Sequence, residues 1–261
     1  MMAYCKAVWR CRYFWLSLVK VDLRARYRGS VLGMGWSMLH PIAMTVILCL
    51  VFHNLFAMDL KVFAPMVMAG LTFWGYLMSV TTGGCLCFFH GEAYIRQHPA
   101  HTAIYTLRSM LGGGFHFLLA LAMVVLLAVW CQGRPPTTAV LLSLLPTLAL
   151  RGVFGWSLAT LFGLATVRFR DTKHISEIAF QALFYLTPVM YPEELLLKRH
   201  VGLLIHVNPF AYLLKLLRDP ILDGRPPALG LFLAALGITL VAFLLAVAAL
   251  RREERKVIFH L

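Results

Sequence analysis

Charged residues are scarce in this sequence, and acidic ones are the scarcest. Only 13% of the 261 residues are Asp, Glu, Lys or Arg, 11 residues in all are acidic, and 61% of the chain is apolar. Soluble domains carry roughly 25% charged and 45–50% apolar residues. The composition therefore excludes a soluble domain and predicts an integral membrane protein. No second, soluble domain is expected beside the membrane domain.

Motifs for covalent or nucleotide chemistry are also missing. No G-x-x-x-x-G-K-[ST] sequence occurs, and no glycine is followed by lysine, so the loop that binds ATP phosphates is absent. The sequence lacks a nucleophile elbow, an H-E-x-x-H motif and spaced intramembrane carboxylates. We therefore expect no catalytic residue, no metal site and no cofactor in this chain. An ATP-driven process would place ATP and Mg²⁺ on a separate subunit.

Long apolar runs predict six transmembrane helices in an all-α integral membrane fold. The runs cover residues 37–57, 63–89, 103–131, 139–166, 175–190 and 229–250. The fifth run is short, and the apolar segment 201–217 that follows it is interrupted by Asn208-Pro209. Such a segment is too short and too irregular to span a bilayer. We expect a re-entrant or interfacial external segment between the fifth and sixth helices.

The excess of basic residues indicates the orientation. The chain has 24 Lys and Arg, and its net charge is +13. Fifteen of them lie before the first span, after the second, after the fourth and after the last, whereas seven lie in the other loops. Because basic residues collect on the cytoplasmic side, both termini are expected there. This rule explains the charge, so no nucleic-acid partner is predicted.

Residues 1–36 show the pattern of an amphipathic helix and turn. One face carries polar and basic side chains, namely Lys6, Arg10, Tyr13, Ser17, Lys20, Arg24 and Arg28, and another carries Ala7, Cys11, Phe14, Leu18 and Val21. Such a helix is expected at the cytoplasmic membrane surface. It either anchors the chain or also binds an anionic lipid head. The expected organisation is this segment, the membrane domain 37–250 and a basic cytoplasmic tail, 251–261.

Five short stretches occur in the order found in a known family. YRGSVLGMGWS at 27–37 runs into Pro41 and is followed by RFRD at 168–171, TPVMYP at 187–192, NPFAYL at 208–213 and RD at 218–219. These stretches resemble ABC-2 type export permeases for polysaccharides and polyol phosphates. The resemblance implies a homodimer of six-span subunits in the bacterial inner membrane. It also implies two copies of a separate ATPase, and a lipid-linked polysaccharide such as O-antigen, capsule or teichoic acid as substrate.

The resemblance and the residue chemistry place candidate sites near the cytoplasmic surface. Arginines at the end of the amphipathic helix would bind the carrier phosphate through charge-assisted hydrogen bonds, namely Arg24, Arg26 and Arg28. An entrance turn, with glycines that let the backbone reverse, would consist of Tyr27, Gly29, Ser30, Gly33 and Trp36. The loop that follows the second span would contact the ATPase through Glu92, Arg96, His98 and Pro99.

Candidates for a translocation channel lie within the spans. Trp74, Tyr76 and Tyr185 combine an aromatic face, on which a sugar ring stacks, with a polar tip. Arg151 falls near the middle of the fourth span, where a charge costs roughly 2.5–3.5 kcal/mol on insertion scales. Such a residue is either a structural clamp between helices or a channel-lining group.

Two other functions stay open at this point. An ABC-2 permease for a small hydrophobic drug would have the same architecture, with apolar pockets and no phosphate clamp. An intramembrane enzyme that modifies lipids would carry His, Asp or Glu clustered at one membrane face. The basic belt and the 27–37 stretch favour a glycan.

Overall fold

A computed structural model describes residues 2–56, 59–97, 101–193, 207–254 and 256–260, and these ranges contain helices and turns but no β-strand. In chain order the α-helices are α1 (Met2–Arg10), α2 (Arg12–Tyr27), α3 (Trp36–Phe56), α4 (Leu60–His90), α5 (Glu92–Gln97), α6 (Ala103–Gln132), α7 (Thr138–Arg168), α8 (Thr172–Leu186), α9 (Pro209–Asp223), α10 (Leu229–Glu253) and α11 (Val257–His260). A 3₁₀ turn, Gly33–Gly35, precedes α3.

Within the ranges that the structure describes, five segments are long and apolar enough to cross a membrane. They are Gly33–His53, which includes most of α3, and the helices α4, α6, α7 and α10. The predicted helices at 37–57, 63–89, 103–131, 139–166 and 229–250 are confirmed, with ends that differ by at most three residues. Long apolar runs therefore located the main helices of the bundle.

The fifth predicted helix differs from its prediction of 175–190. Helix α8 has 15 residues, begins at Thr172 and ends at Leu186, because the chain becomes extended at Thr187 before Pro188. At 1.5 Å per residue it is about 22 Å long, shorter than the hydrocarbon core of about 30 Å. Its Phe180 is buried, whereas Ile175 and Ile178 are exposed.

The N-terminal segment forms two helices rather than one, with a break at Cys11. Leu18, on the predicted apolar face of α2, and the neighbouring Val19 are buried, so part of that face packs against protein. Asp22 of α2 accepts two hydrogen bonds from Arg108 of α6, which fixes α2 to the bundle by an ion pair. The position of Arg108 within a predicted span is explained by this pair.

Helix α4 lies at the centre of the bundle and packs against α3, α6, α7, α8 and α9. Its contact with α7 is close at Gly84, where an added Cβ would lie 2.5 Å from the Cα of Ala159. Small residues permit such backbone approach between membrane helices. Most residues of the central apolar cluster come from α4, α6, α7 and α9.

The bundle has two distinct ends. We call the end at which α1, α2, α5 and α11 pack around the start of α6 and the end of α10 the basic end. The other end holds α9, whose Leu222 carbonyl accepts a hydrogen bond from Gln132 at the end of α6. The tail predicted at 251–261 is partly packed, because α10 continues to Glu253 and Val257 of α11 is buried.

Candidate functional site

A groove with a cavity volume of about 800 Å³ runs along α4 between α3, α6 and α8. Arg26 and His40 lie near its basic end, and Tyr185 and Met190 lie near the α9 end. The wall contains both aromatic rings and polar groups, and the polar groups include Ser37, Ser79, His116 and Gln181. The groove can therefore offer both ring faces and hydrogen-bonding groups to a long molecule.

The entrance turn joins α2 to α3 at the basic end of the groove. Gly29 and Gly33 have φ angles of +79° and +50°, in the left-handed region that glycine adopts without strain. The Ser30 hydroxyl accepts a hydrogen bond from the Gly33 amide at 3.1 Å, which stabilises the turn. Trp36 begins α3 and contributes an exposed ring to the groove wall.

A cluster of three hydrogen-bonded side chains, Tyr27, Ser37 and His116, holds this turn against α6. The Tyr27 hydroxyl lies 2.6 Å from Ser37 Oγ and 2.8 Å from His116 Nδ1, and Ser37 Oγ lies 3.0 Å from the same nitrogen. The role of His116 was not predicted, because His116 is 89 positions from Tyr27 and has no motif around it. Its only signal was a polar side chain inside an apolar run.

The three arginines proposed for the carrier phosphate are exposed at the end of α2. Their side chains make no hydrogen bond or ion pair with any described residue, and Arg26 lines the groove. Their charges are therefore available to an anionic group at the basic end. The Arg24 and Arg28 side chains are not among the groove-lining residues, so the three are not equivalent.

The aromatic channel candidates all line the groove but differ in exposure. Trp74 is 5% exposed and packs against Phe184 and Phe210 with centroid distances of 5.7 and 5.8 Å. Tyr76 is 4% exposed, and its hydroxyl donates to the Arg151 carbonyl at 3.2 Å. Tyr185 is 58% exposed. It is the candidate with the most ring surface available to a ligand.

Arg151 lies behind the groove wall rather than in it. Its side chain is buried, donates a hydrogen bond to the Leu213 carbonyl of α9 at 3.1 Å, and lies 4.7 Å from the Phe73 ring centroid and 4.8 Å from that of Phe117. Cation–π contacts of this kind stabilise a desolvated guanidinium. The contacts join α4, α6, α7 and α9, as expected of a structural clamp.

The proline-containing stretches after α8 and before α9 are joined by polar side chains. Asn208 caps α9 by accepting from the Phe210 amide and donates to the Thr187 hydroxyl at 2.8 Å. Arg218 of α9 is buried and donates to the Pro188 and Val189 carbonyls at 2.8 and 2.9 Å. These bonds satisfy backbone groups that the break at Thr187 leaves without helical partners. No feature of the sequence predicted these two partners.

An ion pair also connects α9 to the residues that follow α8. Lys215 donates to Glu193 at 2.9 Å, and this hydrogen bond raises the pKa of Lys215 above its ordinary value. Helix α9 is therefore a fixed part of the bundle in the described structure. The predicted segment 201–217 overlaps it, but residues 201–206 lie outside the described residues.

Comparison with known proteins identifies the family. A profile of the ABC-2 type transporter family matches residues 13–222, four-fifths of the chain. The chain belongs to the ABC-2 type transporter family. It is also similar to two proteins named O-antigen export system permease protein RfbA. The one from Klebsiella pneumoniae is 22% identical over 78% of both chains, and the one from Myxococcus xanthus is 25% identical over 97% of this chain and 98% of its own.

The segment proposed to contact an ATPase lies at the basic end of this ABC-2 transporter chain. Glu92 and Arg96 form an exposed ion pair at 2.8 Å along α5, and Ile95 is buried beneath them. His98 and Pro99 lie outside the described residues. Helix α5 thus offers a charged outer face on an apolar base.

Both termini converge next to this segment. Glu254, just after α10, accepts hydrogen bonds from the Tyr4 hydroxyl at 2.7 Å and from the Thr102 amide at 3.1 Å. The Tyr4 ring also packs on His101 with a centroid distance of 4.6 Å. In this ABC-2 transporter chain the Glu254 carboxylate therefore connects α1, the start of α6 and the end of α10.

Proposed function

We propose that this chain is the permease subunit of an ATP-driven exporter that moves a lipid-linked polysaccharide across the bacterial inner membrane. The family match supports a transporter subunit, and the names of the relatives suggest the substrate class. The observation that carries the proposal is the groove, whose aromatic and polar wall includes the exposed Arg26. A glycan offers the apolar ring faces and hydroxyls that such a wall binds.

The arginines give the basic end a role in substrate entrance. Arg24, Arg26 and Arg28 would bind the phosphate of the lipid carrier, because guanidinium groups form charge-assisted hydrogen bonds with phosphate oxygens. Arg26 would then direct the first sugars into the groove, since it alone of the three lines the wall. Tyr185 would bind the glycan nearer the opposite end.

A homodimer would convert the open groove into a closed path. Helices α3 and α8 flank the groove, and both expose apolar side chains, including Val46 and Ile47 of α3 and Ile175 and Ile178 of α8. A second copy packed on these faces would cover apolar surface and complete the wall. Large exposed apolar patches mark such contacts in protein or lipid.

The proposed topology has six spans with both termini in the cytoplasm. Helix α8 and the extended residues after it would form the fifth crossing, and α9 would lie at the outer mouth. The N-terminal helices would then rest at the inner membrane surface with their basic side chains toward headgroups. The positive-inside rule supports this orientation.

Two copies of a separate ATPase, which would hold ATP and Mg²⁺, are expected at the basic end. Glu92, Arg96, His98 and Pro99 would contact each copy, and nucleotide-driven closure of the two would push on α5 and the N-terminal helices. The mechanism is conformational, because it changes the relative positions of helices and breaks no covalent bond of the substrate.

Deletion of the gene in the source bacterium tests this function. We expect surface polysaccharide to be lost and lipid-linked glycan to accumulate on the cytoplasmic side, with both restored by the wild-type gene. A permease for a hydrophobic drug would instead leave surface polysaccharide unchanged and alter drug sensitivity. The second result would contradict the proposal.

A further inference from the structure

A second cavity, of about 510 Å³, lies beneath the N-terminal helices at the basic end. Its walls come from α6, α7 and α10, and its roof comes from α1 and α2. The cavity uses a different face of α6 from the groove: Leu107 and Met110 line the cavity, whereas His116 and Phe117 line the groove. None of the groove-lining residues belongs to it, so this cavity is separate from the proposed glycan path.

The cavity is apolar along its depth. Trp156 and Phe243 pack against each other across α7 and α10 at a centroid distance of 5.6 Å. Gly152 lies one turn away, and an added Cβ there would meet no atom within 4 Å. The indole N–H of Trp15 in the roof donates to the Val8 carbonyl at 3.2 Å, so the ring offers only carbon to the cavity. The interior is therefore suited to a hydrocarbon chain.

The mouth of the cavity is polar and carries available positive charge. Arg251 and Glu254 lie there. Glu254 accepts hydrogen bonds from Tyr4 and Thr102, whereas the Arg251 side chain is exposed and makes no hydrogen bond or ion pair with any described residue. A guanidinium at the mouth of an apolar pocket is complementary to an anionic head with a hydrocarbon tail.

The depth of the cavity favours one acyl chain of ordinary length. Arg251 and Phe243 are eight residues apart on α10, or about 12 Å along the helix axis. One leaflet contributes about half of a hydrocarbon core of about 30 Å. A glycerophospholipid chain matches this depth, whereas the much longer polyprenyl tail of a glycan carrier would extend beyond it.

We propose that this cavity binds an anionic glycerophospholipid, with one acyl chain beside Gly152 and Trp156 and the phosphate at Arg251. The bound lipid would hold α1 and α2 against α6 and α10, because its chain fills the space between roof and walls. It would thereby stabilise the Glu254 contacts to Tyr4 and Thr102. This inference does not depend on the identity of the exported substrate.

Quenching of tryptophan fluorescence by brominated lipids tests the proposal. The full chain is reconstituted in phosphatidylcholine vesicles that contain a small fraction of phosphatidylglycerol with brominated acyl chains, which quench indoles on contact. The signal of Trp156 is the difference between wild type and Trp156→Phe. We expect this signal to be quenched more by brominated phosphatidylglycerol than by the same fraction of brominated phosphatidylcholine.

Matched variants locate the effect. Gly152→Leu fills the cavity and should abolish the excess quenching, whereas Gly237→Leu, at an α10 position where a Cβ also meets open space, should retain it. Arg251→Gln should lose the excess and Arg252→Gln should keep it. Circular dichroism shows whether each variant is folded. If Gly152→Leu does not fold, Arg251→Gln still tests the proposal.

Three results would overturn the proposal. One is equal quenching of wild-type Trp156 by the two brominated lipids, and another is unchanged excess quenching in both Gly152→Leu and Arg251→Gln. The third is relief of the excess by polyprenyl phosphate at amounts equal to phosphatidylglycerol, which would assign the cavity to the glycan carrier.

Discussion

Two buried arginines illustrate what single residues reveal before a structure is known. Arg151 stands out because it interrupts a long apolar run, which predicts either a clamp between helices or a channel-lining group, and the structure buries it. Arg218 lies in a short amphipathic helix between Lys215 and Asp219, so its sequence looks like a solvated surface. Its burial depends on where the extended residues after α8 lie, and local sequence does not encode that position. The clamp made by Arg218 was therefore beyond prediction.

Replacing Arg218 with Met should lower the stability of the chain. The change leaves the Pro188 and Val189 carbonyls without this donor, and each unsatisfied buried group costs about 1–3 kcal/mol. Arg151→Met should cost less, because Arg151 donates a single bond and its acceptor, the Leu213 carbonyl, lies within α9. Thermal melting in detergent measures both.

The exposed Arg225 provides the matched control for this substitution, since Arg225→Met removes the same charge near the same end of the bundle. Its melting temperature should equal that of wild type. If Arg218→Met melted at the same temperature as Arg225→Met, the two carbonyl bonds would not stabilise the fold.

Helices differ in how much of their extent the sequence determines. The five long helices were predictable because twenty or more apolar residues leave no other structure in a bilayer. The ends of α8 were not, since a 15-residue helix is set by where Pro188 falls and by which residues pack, such as Phe180. The division of the N-terminal segment at Cys11 and the packing of α2 on α6 likewise depend on tertiary contacts.

The convergence of α1, α6 and α10 at Glu254 predicts a role in coupling. Glu254→Ala removes the acceptor for Tyr4 and Thr102, so α1 should detach from the start of α6. We expect ATP hydrolysis by the complex to continue while glycan export per ATP falls. Hydrolysis and export measured on the same vesicles give this ratio.

Glu253→Ala is the matched control, because Glu253 is the preceding residue and its side chain, among the residues described, pairs only with Lys256 at 3.7 Å. It should leave the export-to-hydrolysis ratio unchanged. A similar ratio for Glu254→Ala would show that the contacts at Glu254 do not transmit motion.

At the scale of the whole molecule, the groove could not be read from the sequence. Arg26, His116 and Tyr185 are far apart along the chain, and only the packing of α3, α6 and α8 around α4 brings them to one surface. The chemistry of the side chains did predict some of the groove residues. Trp74, Tyr76 and Tyr185 each combine an aromatic ring with a polar tip, and all three line the groove. Arg151, predicted as a candidate because of its charge, lies behind the groove wall.

The arginine cluster at the groove entrance predicts a specific loss of export. Replacing Arg24, Arg26 and Arg28 together with Gln should reduce export of lipid-linked glycan while leaving membrane insertion and assembly intact, because all three are exposed and unpaired within the described residues. Surface polysaccharide and the assembled complex are measured in parallel.

A second triple variant, Lys6, Arg10 and Lys20 to Gln, removes the same charge from the same N-terminal segment away from the groove. It should export nearly normally. Equal export by the two triple variants would show that only the total charge of the segment matters, and would reject a phosphate site at Arg24, Arg26 and Arg28.

The most direct test of the proposed function is transport by a purified complex. The chain and its partner ATPase are reconstituted in vesicles, and lipid-linked polysaccharide is supplied on the side that carries the ATPase. We predict that ATP moves the polysaccharide to the opposite side, where a glycosidase reaches it, and that the chain alone neither hydrolyses ATP nor moves the glycan. ATP hydrolysis without any appearance of polysaccharide on the opposite side, in a complex with intact assembly, would contradict the account.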